Sequence, residues 1–271
     1  MTHPYFDATP APRVLAHRGL PTPVEQDAQA PVLSRADDFT VWENTALALA
    51  AAHAAGAVYI ETDCRITSDG DVVLFHDETL LRVIGDSRAV SDVSTRELSD
   101  LMSQNGGLLT LSDALDAFPT VHFNIDVKAA EVAEQLGRVV ASQAHRVLVT
   151  SFDDRTRLRA LASALGSGAT MRPATSAGQA TIVRALGAAH TRLPALIRRA
   201  LRDVDALQIP ERHAGVRVFS PALVRAAHRM GAEVHVWTVN APADMKRLVE
   251  MGADGIVTDR ADVALKTLTQ P

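Results

Sequence analysis

The stretch "VLAHRGL" (residues 14–20) begins as a buried strand and ends in an imidazole, a guanidinium and a glycine: His17, Arg18 and Gly19. An apolar run suits the wall of a sheet, and an abrupt polar end suits its rim. The same punctuation recurs downstream. "VYIETD" (58–63) ends in Glu61, Thr62 and Asp63, and "VVLFHD" (72–77) ends in His76 and Asp77. "VHFNID" (121–126) carries Asn124 and Asp126, with Lys128 two residues on.

The opening run is a candidate strand over 13–17, and further candidates lie at 146–151, 168–171, 206–209, 216–219, 234–239 and 255–258. Helical patterns fall at 44–55, 111–118, 130–143, 153–164, 221–230, 242–251 and 261–268. Strands alternating with helices predict parallel βαβ units. About eight of them in a chain of 271 residues predict an α/β protein with a TIM (β/α)8 barrel. A doubly wound sheet is disfavoured, because no G-x-G-x-x-G follows the first strand. The candidates exceed eight, so 206–209 or 216–219 is expected to lie outside the barrel. Residues 1–12 are expected to be a loose, flexible tail and 13–271 one barrel domain. The polar connection 20–42 is a long βα-loop on the mouth side, a position where long loops tend to be functional.

Composition narrows the function. Apolar residues are 47 % of the chain, enough for a large core, and the net charge of −5 offers no basic stripe for nucleic acid. One cysteine, Cys64, excludes an intrachain disulfide. No secretory signal and no membrane-spanning run is read, so the expected location is cytoplasmic, without stable membrane insertion. The oligomeric state is left open.

In a barrel, the strand ends converge on one mouth. Residues i and i+2 of a strand share a face, so Glu61 and Asp63 point together. Two carboxylates that close repel unless a cation joins them, and hard oxygens suit Mg²⁺ or Ca²⁺. The plainer alternative is a surface pair bridged to Arg65. "FNIDVK" (123–128) favours a site, because Phe123, Ile125 and Val127 fall on one face and Asn124, Asp126 and Lys128 on the other. A parallel strand is normally apolar on both faces, so a polar face needs polar company. His17 and His76, at two strand ends, are candidates for proton transfer. Asp77 is a candidate partner for His76, and Glu43 for Arg18 or His17. Asn44 is expected to cap the following helix. His53, His122, His190, His213, His228 and His235 lack this context and are read as structural.

The series "AHRG", "ENT", "YIETDCRITSDGDVVLFHDETLLRV", "FNIDVK", "VHVWTVN" and "GADGIVTD" resembles the glycerophosphodiester phosphodiesterase family from about residue 13 to 262. The resemblance implies a TIM barrel that hydrolyses glycerophosphodiesters to glycerol 3-phosphate and an alcohol, with one divalent metal ion. It implies His17 and His76 as the acid/base pair, and Glu61, Asp63 and Asp126 as metal ligands. Arg18 and Lys128 would hold phosphate, and Trp237 would line the pocket. The family usually has Glu where this chain has Asp126, and sphingomyelinase-D-like enzymes have Asp. The step from "HRG" to "ENT" is also longer than usual, which makes residues 20–42 a candidate lid or alcohol-pocket wall.

Two other functions fit the same architecture. A lysophospholipase-D- or sphingomyelinase-D-like phosphodiesterase would need an apolar groove near the mouth. A non-catalytic phosphate-binding barrel would keep the pocket without turnover, and the presence of both histidines argues against it.

Overall fold

A computed structural model describes residues 3–22, 41–191 and 194–268. Its strands are β1 (Arg13–His17), β2 (Tyr59–Ile66), β3 (Val72–Leu74), β4 (His122–Val127), β5 (Val147–Thr150) and β6 (Ala174–Thr175). They continue with β7 (Ala206–Pro210), β8 (Arg212–His213), β9 (Val216–Arg217), β10 (Glu233–Trp237) and β11 (Gly255–Thr258). Eight of them form a parallel wall in the order β6-β5-β4-β2-β1-β11-β10-β7. A parallel bridge from Ser176 to Ala206 joins the two ends, so the architecture is a TIM barrel.

Alternation along each strand explains the two apolar layers. Val14, Ala16, Ile60, Phe123, Ile125, Val147 and Val149 face outward and pack with the helices in the large core. Leu15, Tyr59, Leu148, Ala174, Ala206 and Val257 fill the barrel interior. "FNIDVK" is thus apolar toward the helices and polar toward the lumen.

Two strand expectations need correcting and a third is met. The run 72–77 is not a barrel strand, because β3 pairs antiparallel with β2, Cys64 opposite Leu74. The short turn between them leaves no room for a parallel crossover. Of the two runs set against each other, 206–209 forms wall strand β7, paired with β10. Residues 216–217 instead pair with 212–213 in a two-stranded hairpin. The sixth wall strand lies at 174–175, and 168–171 is not a strand.

Nor is the start of the chain loose from His3 onward. Pro4–Asp7 form a 3₁₀ turn whose Tyr5 and Phe6 are buried with the interior residues. The Tyr5 carbonyl accepts from Tyr59 Oη at 3.1 Å and lies 2.9 Å from His122 Nδ1. Arg13 stacks over the rings of Phe6 and Tyr59 and pairs with Glu233, which also holds the buried His235 at 3.0 Å. His122 and His235 therefore belong to this floor, away from the mouth. Of the 20–42 connection, 23–40 lie outside the described residues, and the lid expectation with them.

Candidate active site

Register places the acidic groups. Glu61 on β2 lies opposite His17 on β1 and Asn124 on β4, and Asp63 lies opposite Asp126. All five expected acid/base and metal residues, His17, His76, Glu61, Asp63 and Asp126, and their cationic neighbours Arg18 and Lys128 line one cavity of about 480 Å³ with Asn124 and Trp237. His76 reaches it from just beyond β3, although β3 is outside the wall.

Asp63 is fully buried and its carboxylate holds three partners. Lys128 Nζ lies 2.8 Å from its Oδ1, and Asn44 Nδ2 donates to Oδ2 at 2.9 Å. Arg18 Nε sits 3.0 Å from Oδ2 as an ion pair rather than an aligned hydrogen bond. The Asp63 backbone amide in turn donates to Asn44 Oδ1 at 3.3 Å, so Asn44 holds the residue from both ends. Burial pushes the Asp63 pKa up, but Arg18 and Lys128 outweigh it and hold the carboxyl at about 2. Lys128 also bridges to Asp126 Oδ2 at 2.6 Å, and the two carboxylates raise its own pKa against the effect of burial. Glu61 is the contrast. Its carboxyl receives the Arg18 amide at 3.2 Å and lies 3.8 Å from His17 Nε2. Burial, then the charge of Asp63, raise its pKa to about 7. Burial raises Asp126 as well, partly opposed by Lys128.

Both imidazoles are tied through Nδ1. His17 Nδ1 lies 2.6 Å from Asp259 Oδ1, and His76 Nδ1 lies 2.6 Å from Asp77 Oδ1. Burial pulls the His17 pKa down, but Glu61 and the Asp259 hydrogen bond more than offset it, and the value is raised. Asp259 is in turn fixed by Asn240 Nδ2 at 2.8 Å. On the other side, Arg82 donates to Asp77 at 2.6 Å and to Glu43 at 2.6 Å, and Glu43 accepts from Arg18 at 2.8 Å. One carboxylate thus links the arginine beside Asp63 to the support of His76.

Several local readings change. Thr45, not Asn44, caps the helix Ala46–Ala54, accepting from the Ala48 amide at 3.2 Å. Asn44 is buried with a left-handed φ of 57°, and its Oδ1 accepts from Thr62 Oγ1 at 2.7 Å. Arg18 shares this sparsely occupied region, with φ 58°. Gly19 next to it permits close packing, since a Cβ there would lie 2.6 Å from the Ala48 carbonyl carbon. Arg65 does not bridge Glu61 or Asp63 but donates to the His76 carbonyl at 3.1 Å. Asp259, Asn240 and Arg82 are site residues that the sequence reading passed over, and His213, read as structural, lines the cavity from the β8–β9 hairpin.

The donor set suits a hard divalent cation: three carboxylates and the amide oxygen Asn124 Oδ1, which is buried without a hydrogen-bond partner among the described residues. Among the described residues no three acidic, imidazole or thiol groups are already gathered at metal-ligating spacing. The cation between Asp63 and Asp126 is the Lys128 ammonium.

The model of the glycerophosphoryl diester phosphodiesterase family matches residues 17–263. A probable glycerophosphodiester phosphodiesterase 2 of Mycobacterium tuberculosis is 42 % identical over 211 residues, 77 % of this chain and 78 % of that protein. Solved structures share the fold. A glycerophosphodiester phosphodiesterase of Thermotoga maritima superposes with a TM-score of 0.65 at 24 % identity, covering 93 % of this chain and 96 % of its own. An Oleispira antarctica phosphodiesterase in complex with the product sn-glycerol-3-phosphate gives 0.66 at 21 %, covering 95 % and 96 %. The chain belongs to the glycerophosphoryl diester phosphodiesterase family and is an enzyme of that class.

Proposed function

We propose that the protein hydrolyses glycerophosphodiesters to glycerol 3-phosphate and an alcohol, with His17 and His76 exchanging protons and one divalent cation, Mg²⁺ or Ca²⁺, held by Glu61, Asp63 and Asp126. The observation that carries this reading is the pair of imidazoles on one cavity wall. Each has Nδ1 engaged by a carboxylate at 2.6 Å, which directs Nε2 to the chemistry. Bound by the three carboxylates, a divalent cation would supply Lewis-acid neutralisation of phosphate charge.

The chain's own groups do the rest. Arg18 offers a planar fork of donors and Lys128 a compact charge, both suited to a phosphate oxygen. One imidazole takes the proton of the attacking oxygen, from water or the glycerol 2-hydroxyl. The other gives a proton to the departing alcohol oxygen. Asp259 and Asp77 hold the rings and stabilise their protonated forms, as an acidic partner does in a catalytic triad. Trp237 closes one side of the pocket, while Glu43, Asn44 and Asn124 orient Arg18, Asp63 and the acidic cluster. A small-molecule diester is the substrate class that a pocket of this size accepts.

The test is glycerol 3-phosphate release from glycerophosphocholine, with and without EDTA. Release that stops in EDTA and returns with excess Mg²⁺ or Ca²⁺ is expected. Phosphate binding with no metal-dependent release would instead make this a binding barrel.

A further inference from the structure

Of the seven large apolar side chains exposed among the described residues, all but Leu81 lie between positions 152 and 216. Arginine is concentrated on the same arc of the barrel. Residues 155–202 contain nine arginines and no aspartate or glutamate, although the chain as a whole carries −5. The overall charge therefore conceals a basic arc, and the expectation of no basic stripe does not hold there. Four of the apolar side chains adjoin the cavity mouth. Phe152 lines both the catalytic cavity and a shallow depression beside it, whose other walls include Arg155, Leu158 and Arg184. Val183 and Val216 stand on the cavity side. The patch thus extends from Leu158 on the helix Asp154–Gly166, past Phe152 and the helix Gln179–Thr191, to the β8–β9 hairpin. Apolar side chains exposed singly are ordinary, but a run of them across three elements marks a contact surface.

Arg155, Arg184, Arg212 and Arg217 are exposed around this patch, and the acids near it are already engaged. Asp153 caps the helix Asp154–Gly166. Asp154 pairs with Arg157 at 3.1 Å and accepts from the amides of Gly178 and Thr181, while Arg184 approaches it only to 3.9 Å. Glu211 pairs with Arg247 at 2.8 Å. Apolar side chains ringed by guanidinium groups match anionic headgroups lying over acyl chains. Nucleic acid would use the arginines, but Leu158, Val183 and Val216 give its bases nothing to stack on. A second copy docked patch to patch would set arginine against arginine. We infer that this rim of the barrel docks on an anionic membrane, with Phe152, Leu158, Val183 and Val216 at the headgroup–acyl boundary and the arginines on the headgroups. The docking is peripheral, since among the described residues no helix is long and apolar enough to cross a membrane. It seats the cavity mouth beside the bilayer and does not depend on what the cavity hydrolyses.

The test sediments the protein with vesicles of phosphatidylcholine alone and of phosphatidylcholine mixed with phosphatidylglycerol, at low and at physiological salt. Binding is expected to the anionic vesicles only, and to weaken as salt screens the arginines. Arg155→Gln/Arg184→Gln/Arg217→Gln is expected to weaken it about 100-fold, at about fivefold for each cation near the surface. Leu158→Asp/Val183→Asp is expected to weaken it at least about tenfold. Both variants alter exposed side chains, so their Tm values should match the parent's. No binding to anionic vesicles overturns the inference, and so does binding that both variants retain. Tighter binding to a duplex oligonucleotide than to the vesicles, untouched by the apolar variant, gives the face to nucleic acid and overturns it. A parent dimer that the apolar variant dissolves, without vesicle binding, gives the face to a second copy and likewise overturns it. Release of glycerol 3-phosphate from glycerophosphocholine is read separately and tests only the proposed activity.

Discussion

Replacing Glu61 by Gln in the metal-free protein removes a carboxyl that the fold keeps partly protonated near neutrality. Burial is the main cause, followed by the charge of Asp63, and the pKa moves from 4.5 to about 7 despite His17 and Arg18. A folded-state pKa above the unfolded one means that the folded protein binds this proton more tightly. The carboxyl therefore costs nothing below pH 4.5, costs progressively more up to about pH 7, and costs a constant amount above it. At about 1.4 kcal/mol per pH unit, the full penalty is about 3 kcal/mol. Gln has nearly the same shape and no charge, so Glu61→Gln is expected to stabilise the protein in EDTA by up to that amount at pH 8 and not at pH 4. Urea titrations at the two pH values measure the difference, and it corresponds to a Tm rise of about 6–12 °C in a chain of this size. Added Mg²⁺ or Ca²⁺ should reverse the order, because only the parent keeps the full carboxylate set. A Gln variant no more stable than the parent at pH 8, or a gain that does not grow between pH 4.5 and 7, refutes the reasoning.

His17→Ala and His76→Ala are each expected to lower kcat by about 10²–10⁴-fold with Tm little changed; near-normal rates in both would discard the acid/base pair. Asp259→Asn removes a group that raises the His17 pKa, so the His17 limb of the kcat/KM profile should move to lower pH and the rate should fall at least about tenfold. A pH–rate profile superimposable on the parent's would exclude that role. Tyr5→Ala opens a cavity under the barrel and is expected to cost about 3–5 kcal/mol in urea denaturation, whereas a loose tail would cost nothing.

How much of this is readable from the sequence depends on whether partners are local. Glu61 and Asp63, or Asn124 and Asp126, are visible because strand geometry puts i and i+2 on one face, and the parallel register then aligns the pairs. Asp259 ends β11 by the same rule, but its partner His17 lies 242 positions away and nothing adjacent announces it. Arg82 is hidden in the same way, since it reaches Glu43 across 39 positions. β3 is misread because an alternating apolar run looks alike in a parallel wall and in an antiparallel hairpin. The informative signal was the "SDGD" turn (68–71), too short for a crossover. Tyr5 and Phe6 sit among prolines that suggest a loose end, and only tertiary packing shows that they plug the floor.

The position of β3 outside the wall separates the foundations of the two histidines. His17 rides on the barrel. His76 follows Phe75, which packs with Val73, Leu80, Val83, Val90, Val93, Leu98 and Met102 in a small apolar cluster of its own. Loosening that cluster would displace one of the two proposed proton carriers while the barrel stayed folded. The melting of the barrel and the working temperature of the enzyme are then two separate properties, and selection can tune the second by editing an appendage.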